Sequence, residues 1–485
     1  MANRRSGLGL GLRAQLWVSL AGATLGVLAP ALAQESLVNA PQPTHPPRPH
    51  VLSDRLPDKP SQPPAFKIAV GPLGFSAPGS FYLGQRTSLV SLDFLDENRL
   101  LFTFRVPGLI RRDAAEREAG NDEERRIRAL VLKLPQGTVE SEALWTVHDR
   151  LRYLWVLNDG SFLFRDLRDL ETGDASLELK PFLRFPGPLL WLEPDPTQQF
   201  LVTNSSEPAV AAQMPPEMPS PAASLAGNQN LSLNPGGQPS VSGDPTSFGL
   251  GTSGAAQAVR AAQEQKPVSQ PELAVRILRR TSGEVTLVSR TRFAVHLPVN
   301  ADGYLENLRG RGNDWLVNMN YFSGGAATVG RINSACSPVS DFLSQREVLV
   351  TGCTSSGAAE LAAMTTDGRL LWEALGSDTS VWPVVVRAPD GSRLARETLI
   401  VSTPVSARAP LGSDEIRGQL VEVLDAANGN MALETTASPA LDEGGNVAIS
   451  PSGRRVAVLN GSQIQVFELP AAPSLPEPVV HAHSH

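Results

Sequence analysis

The chain is poor in the residues that build most catalytic centres. Its 485 residues include two cysteines, seven histidines and four tyrosines. No G-x-S-x-G nucleophile elbow, no phosphate-binding glycine loop followed by Lys-Ser/Thr, and no H-E-x-x-H zinc helix occurs. The net charge of −7 is mild and spread along the sequence. No basic stripe is available to neutralise phosphates, which argues against a nucleic-acid partner. Beyond the N-terminus no apolar run is long enough to cross a bilayer, so no membrane span is expected in the mature chain. Sustained helical periodicity is nearly absent as well.

What is present begins with a leader. Arg4 and Arg5 precede an apolar, small-residue stretch from Leu8 to Val27. Pro30 ends that stretch, and Ala31-Leu32-Ala33 offers a small-x-small cleavage pattern before Gln34, so residues 1–33 read as a signal peptide. Glycines and Arg13 make the stretch a poor span, and GLGLG (7–11) lies inside the leader. No cysteine follows the cleavage site, which argues against a lipid-anchored N-terminus. The Arg4-Arg5 pair leaves a twin-arginine signal open, but its flanks (NRRSGL) lack the usual apolar residues, and ordinary secretion is the default. The expected location is the periplasm or the extracellular space. In such an oxidising compartment Cys336 and Cys353 are expected to form a disulfide. Closing a loop of that size stabilises by roughly 3 kcal/mol. Two buried free thiols are the alternative; no His or acidic cluster lies near them in sequence to suggest a metal.

Residues 34–63 are rich in proline (PQPTHPPRPH, PDKPSQPP) and read as a disordered linker. From Phe66 the texture changes to short runs of Val, Leu, Phe and Trp separated by turn residues, which suits strands. An apolar strand, a polar tight turn and a second apolar strand recur seven times. They are SLVSLDFLDENRLLFTF (to residue 104), YLWVLNDGSFLF (153–164), LLWLEPDPTQQFLVT (189–203), YLENLRGRGNDWLVNM (304–319), SDFLSQREVLVTG (340–352), VVVRAPDGSRLARETLIVS (384–402) and NVAISPSGRRVAVLNG (446–461). A second hairpin, with glycine in its turn, usually follows. It is read at 129–145, 169–179, 277–289, 361–375 and 420–436. Two hairpins in series make a four-stranded antiparallel sheet.

Three stretches carry a resemblance. SPSGRRVAVLNGSQIQVFEL (450–469) resembles the ends of WD40-like and YVTN-type bacterial propeller repeats. TTDGRLLWE (365–373) and LDAANGNMALE (424–434) resemble the strand-turn-strand of PQQ-type repeats. The matches are degenerate and cover pieces of 86–470; they imply a fold and no chemistry. The expectation is an all-β, seven-bladed β-propeller over 64–470, with a tail at 471–485; a pair of β-sandwiches is the alternative. The last repeat is one strand short, so a strand within FKIAVGP (66–72) is expected to close it. Blade four is expected to be truncated near GRINSACS (330–337), with Cys336 reaching the second strand of blade five.

Three extra segments interrupt the repeats, each between the second and third strand of a blade. They are RRDAAEREAGNDEERR (111–126), a disordered Pro/Ser/Gly/Ala/Gln-rich insertion at about 205–270, and SARAPLGSDEIRG (406–418). Alternating strand direction puts all three connections on one face. Loops tolerate insertion anywhere, so harmless decoration explains the pattern too. The functional reading makes Arg111, Arg112, Glu116, Arg117, Glu123, Glu124, Arg125 and Arg126 a candidate interaction loop. Pairs such as Arg112 with Glu116 favour a short helix there.

The remaining candidates are bland. The terminal HAHSH (His481, His483, His485) is the one histidine cluster in sequence; it reads as a disordered end, with weak divalent-metal binding as the alternative. NDG (158–160) and PDG (389–391) read as hairpin turns, and Asp96-Glu97 or Asp166 with Asp169 as solvated turn acids. Trp145, Trp155, Trp191, Trp315, Trp372 and Trp382 suit packing between blades, and any that line the channel are placed to stack on a ligand. No catalytic, cofactor-binding or metal residues and no cofactor are assigned. The expected function is non-catalytic binding of an unidentified protein or polymer of the cell envelope through the insertion-bearing face. The alternative is a propeller enzyme, lactonase-like or quinoprotein-like, that uses the central channel; it lacks the adjacent cysteine pair of some quinoproteins.

Overall fold

In the computed structural model the described residues are 49–77, 90–106, 125–148, 151–207, 272–291, 295–404 and 414–473. They form 28 strands, and no helix among them is long and apolar enough to cross a membrane. Two short strands come first, β1 (His50–Val51) and β2 (Phe66–Ala69). Blade 1 holds β3 (Val90–Asp96), β4 (Arg99–Arg105), β5 (Arg125–Lys133) and β6 (Thr138–Val147). Blade 2 holds β7 (Leu154–Val156), β8 (Phe162–Asp166), β9 (Asp169–Gly173) and β10 (Lys180–Arg184). Blade 3 holds β11 (Leu189–Pro194), β12 (Phe200–Glu207), β13 (Glu272–Arg279) and β14 (Val285–Thr291). Blade 4 is a three-stranded sheet of β15 (Gly303–Arg309), β16 (Asp314–Tyr321) and β17 (Ala326–Asn333). Blade 5 holds β18 (Val339–Phe342), β19 (Glu347–Cys353), β20 (Ala359–Thr365) and β21 (Leu370–Leu375). Blade 6 holds β22 (Ser380–Arg387), β23 (Arg393–Val401), β24 (Ile416–Asp425) and β25 (Met431–Ala437). Blade 7 holds β26 (Val447–Ile449), β27 (Arg455–Asn460) and β28 (Gln463–Glu468), completed by β2.

The strand patterns follow from position. An inner strand lies between two neighbouring blades and is buried on both faces, so it reads as a continuous run: β4 (RLLFTFR) is buried at its five central positions and β23 at all nine. An outer strand such as β6 alternates and stays largely exposed. Seven apolar clusters fill the seven interfaces of the ring. One joins blades 1 and 2 through Ile127, Trp145, Phe162 and Phe164, and another joins blades 5 and 6 through Leu361, Trp372, Leu394 and Leu424. The closing cluster unites blades 7 and 1 through Ile464, Val466, Leu92, Phe102 and Leu132, with Ile68 of β2 inside it. Fully burying such a side chain stabilises by roughly 1.5–3 kcal/mol, so these interfaces hold the ring together.

The expected closure is present: β2 pairs antiparallel with β28, Ile68 opposite Ile464, and supplies the fourth strand of blade 7. Cys336, in the link between β17 and β18, is bonded to Cys353 at the end of β19, with a Cα–Cα distance of 5.6 Å. The disulfide therefore ties the blade 4–5 link to the second strand of blade 5.

Three expectations need correction. Blade 4 is complete at its outer side, where β17 stands. Residues 295–300 occupy the innermost position, held to β15 by the Val299–Tyr304 bridge and by Leu305 N–H donating to Pro298 O. Leu297 and Val299 pack there on blade 3. The 304–319 hairpin thus supplies the second and third positions of its blade, and Pro298, which has no N–H, explains why the inner piece forms no regular ladder. In blade 2 the outer strand is Lys180–Arg184, paired with β9; ASLEL (175–179) is a link, with Leu177 at φ 63° buried between blades 1 and 2.

The third correction concerns the proline-rich segment. Over residues 49–65 it is bonded along the rims of three blades. β1 adds to β21 as a parallel fifth strand of blade 5, and Leu52 is buried between blades 5 and 6. Ser53 N–H donates to Glu422 Oε1 at 2.8 Å, Ser61 exchanges bonds with the backbone of Glu434 on β25, and Ala65 N–H reaches Val466 O. The outer sheet edges are what recruit it: unpaired backbone groups there are satisfied by this strap. Beneath Ser53, Arg396 and Glu422 form a fully buried ion pair at 2.6 Å.

Candidate functional site

The innermost strands start on the face where second-to-third-strand connections emerge and run to tight turns on the other face. Gly160 and Gly391, at φ 79° and 74°, allow two of those turns, NDG and PDG, as read from sequence. Between the faces the strands surround a channel cavity of about 330 Å³. Its lining includes Asp93 of β3, Arg152 before β7, Glu193 of β11, His296, Asp341 of β18, Arg387 of β22 and Glu443 before β26. Each blade thus contributes an ionisable side chain and blade 3 adds Asp195; among the seven named, signs alternate from blade 1 to blade 7 when His296 is protonated and the acids are ionised.

The geometry is tightest on blades 3 to 5. His296 Nε2 lies 2.9 Å from Asp341 Oδ1, and His296 Nδ1 lies 3.3 Å from Glu193 Oε2. Ser340 O lies 3.2 Å from Nε2, and Trp191 meets the imidazole edge to face at 5.4 Å between ring centres. Burial alone disfavours the imidazolium, but the charges of Asp341 and Glu193 and the bonds to Asp341 and Ser340 outweigh it and hold His296 at about 9. Burial, reinforced by Asp341, pushes the Glu193 carboxyl up against the pull of His296 and the two arginines. One donor atom from each of Glu193, His296 and Asp341 lies within 4.8 Å of the others, which makes the group competent to hold a metal ion.

The arginines behave differently from one another. Arg387 reaches from blade 6 across the lumen, donating to Phe342 O of blade 5 and to Pro194 O of blade 3 at 3.1 Å. Arg152 donates from Nε to Leu154 O at 3.0 Å and lies over Trp155 at 5.4 Å. Burial raises Asp93, opposed by the Ser91 hydroxyl and by Arg152. At the other mouth, a Cβ on Gly445 would come within 2.4 Å of Val90 O, so a residue without a side chain lets blade 7 close on blade 1. Beside that mouth Glu397 of β23 is 1% exposed. Its Oε2 accepts from Gln419 Nε2 at 2.7 Å while Oε1 has no hydrogen-bond partner. Burial raises Glu397 to about 8.

The sequence-derived candidates fall elsewhere. Arg125 and Arg126 belong to β5, with Arg125 buried and Arg126 exposed. Arg111, Arg112, Glu116, Arg117, Glu123 and Glu124 lie outside the described residues, as do most of 205–270, the signal peptide and the histidine tail. β12 nevertheless leads into 208–271, β4 into 107–124 and β23 into 405–413, each a second-to-third-strand connection. Trp145, Trp315 and Trp372 pack between blades; Trp155, in the blade 2–3 core, and Trp191, against the blade 3–4 core, also line the channel. Asp96 and Glu97 accept turn and inter-blade bonds from Asn98, Arg99 and Ser452. Asp166 accepts from His148 at 2.7 Å. Sequence reading passed over the channel ring, although a charge inside an otherwise apolar first strand (VSLDFLD, LLWLEP, VVVRAP) was a usable signal.

No family model and no curated protein matches the chain. Solved structures that resemble it include the β-propeller domain of the Trilobed protease from Pyrococcus furiosus, with 10% identity, 81% of this chain and 98% of that chain covered, and a TM-score of 0.39. The WD40 domain of Toxoplasma gondii coronin gives 9%, 85%, 88% and 0.41 in the same order. Acylaminoacyl peptidase from Pyrococcus horikoshii gives 9%, 76%, 49% and 0.39, so this chain spans about half of that enzyme's length. On the evidence of its own sheets the chain is a seven-bladed β-propeller with degenerate repeats, closed by an N-terminal strand.

Proposed function

We propose that the protein is an exported, non-catalytic propeller that captures a protein or polymer partner of the cell envelope on its insertion-bearing face. The observation that carries this reading is topological: the connections after β4, β12 and β23 all leave from one face of the ring. The described residues that flank 107–124, 208–271 and 405–413 lie on that face, which supports a shared rim for the three segments. The mixed-charge composition of the first supports a solvated docking surface, because no core buries so many ionised groups. The disulfide supports an oxidising compartment. Replacing 107–124 or 208–271 by short glycine linkers leaves all four strands of each blade in place. Wild-type chain is expected to retain a stoichiometric partner from native envelope extracts, and at least one replacement to lose it with unchanged circular dichroism. Full retention by both refutes the reading.

The channel ring favours a second reading, an enzyme or small-ligand binder that works in the lumen. Acids, arginines and backbone carbonyls converge there around an open cavity. A saturable thermal shift with quinone cofactors or lactones supports it, since a ligand that binds only the folded state raises its stability.

A further inference from the structure

We infer that Glu193, His296 and Asp341 form a site for one divalent transition-metal ion in the central channel. Three consecutive blades supply the three donors, and the rigid sheets position them before any ion arrives. The group is poorly satisfied as a simple ion triad. His296 Nδ1 and Glu193 Oε2 face each other at 3.3 Å, yet both are buried atoms without a hydrogen-bond partner. Buried polar atoms are nearly always bonded, and an orphaned pair beside a cavity calls for an ion or a water. The lumen of about 330 Å³ leaves room for water at the remaining coordination positions.

The donor set selects the ion. One imidazole nitrogen with two carboxylate oxygens suits zinc or manganese, whereas calcium and magnesium take oxygen cages. Arg152 and Arg387 face the same lumen, so a site relying on charge alone would be weak. Arg387 is committed to two carbonyls, which keeps it off the triad carboxylates. Selectivity then rests on the imidazole. This site is built near the turn-bearing ends of β11 and β18, away from the insertion rim, so its fate is independent of the docking reading.

The test is titration of metal-stripped full-length chain with zinc, manganese and calcium chlorides by calorimetry, with cobalt absorption spectra as a second readout. A variant carrying His481→Ala, His483→Ala and His485→Ala removes tail binding. One equivalent of zinc or manganese is expected in that variant, with calcium at least about tenfold weaker. Glu193→Gln and Asp341→Asn, near-isosteres checked for folding by circular dichroism, are each expected to weaken binding at least about tenfold. His296→Gln is expected to abolish the cobalt spectrum. The inference is overturned if the tail-substituted chain binds no metal, or if it binds metal undiminished by the carboxamide substitutions in folded protein.

Discussion

Glu397 predicts a measurable pH signature. In the folded chain its carboxyl is held at about 8 by burial, against an ordinary value of 4.5. The folded state therefore carries a proton that the unfolded state has released across this window. Stability from this group is fully present below about pH 4.5 and declines as pH rises toward about 8, with a slope of at most roughly 1.4 kcal/mol per pH unit. Summed over the window the loss is of the order of a few kcal/mol, an upper bound because neighbouring groups relax. Asp442, also raised by burial, acts in the same direction. Glu397→Gln keeps the shape and the acceptor for Gln419 but has no proton to lose. Urea unfolding followed by tryptophan fluorescence at pH 5, 6, 7 and 8 reads the difference. The variant is expected to match the wild type within about 1 kcal/mol at pH 5 and to exceed it clearly at pH 8. Parallel profiles for the two proteins, or a less stable variant at pH 8, refute the reasoning.

Other consequences are sharper in mutagenesis. Ile68→Ala on the closing strand is expected to cost about 2–4 kcal/mol and to lower the melting temperature, because Ile68 is 5% exposed within the blade 7–1 core. Cys336→Ser with Cys353→Ala is expected to cost roughly 3 kcal/mol, and dithiothreitol to lower the wild-type denaturation midpoint in the same direction. Arg396→Met leaves Glu422 buried without its partner and is expected to cost about 3–5 kcal/mol in chemical denaturation, while adding Glu422→Leu recovers most of the loss.

How much of this was legible in the sequence depended on local chemistry. Hairpins carrying NDG, PDG or PSG between apolar runs were readable, because turn geometry and strand periodicity agree there. The link at 295–300 was not, because Pro298 interrupts its ladder and a single bridge holds it. β10 escaped because KPFLR begins with a charge and a proline, and ASLEL looks more strand-like. β1 is two residues long, and its pairing depends on an exposed edge that exists only in the folded ring. The channel group was invisible for a related reason. Glu193, His296 and Asp341 are dispersed over about 150 residues, and ring closure is what brings them together. The charged interaction loop was read from composition, which identifies a solvated segment and cannot assign where a strand begins; Arg125 and Arg126 were drawn into β5 by its apolar continuation.

The pairing of β2 with β28 has a temporal side. Phe66 meets Val466, so an early-synthesised segment must stay available until the last blade has emerged. Contacts this distant along the chain are slow to form and leave partners unshielded meanwhile. A permuted chain that opens within 107–124 and joins the natural ends shortens that separation but transfers the late seam to β4 and β5, with seven residue pairs in place of four. It should assemble the same ring without refolding faster than the native order, because one distant pairing has been exchanged for another.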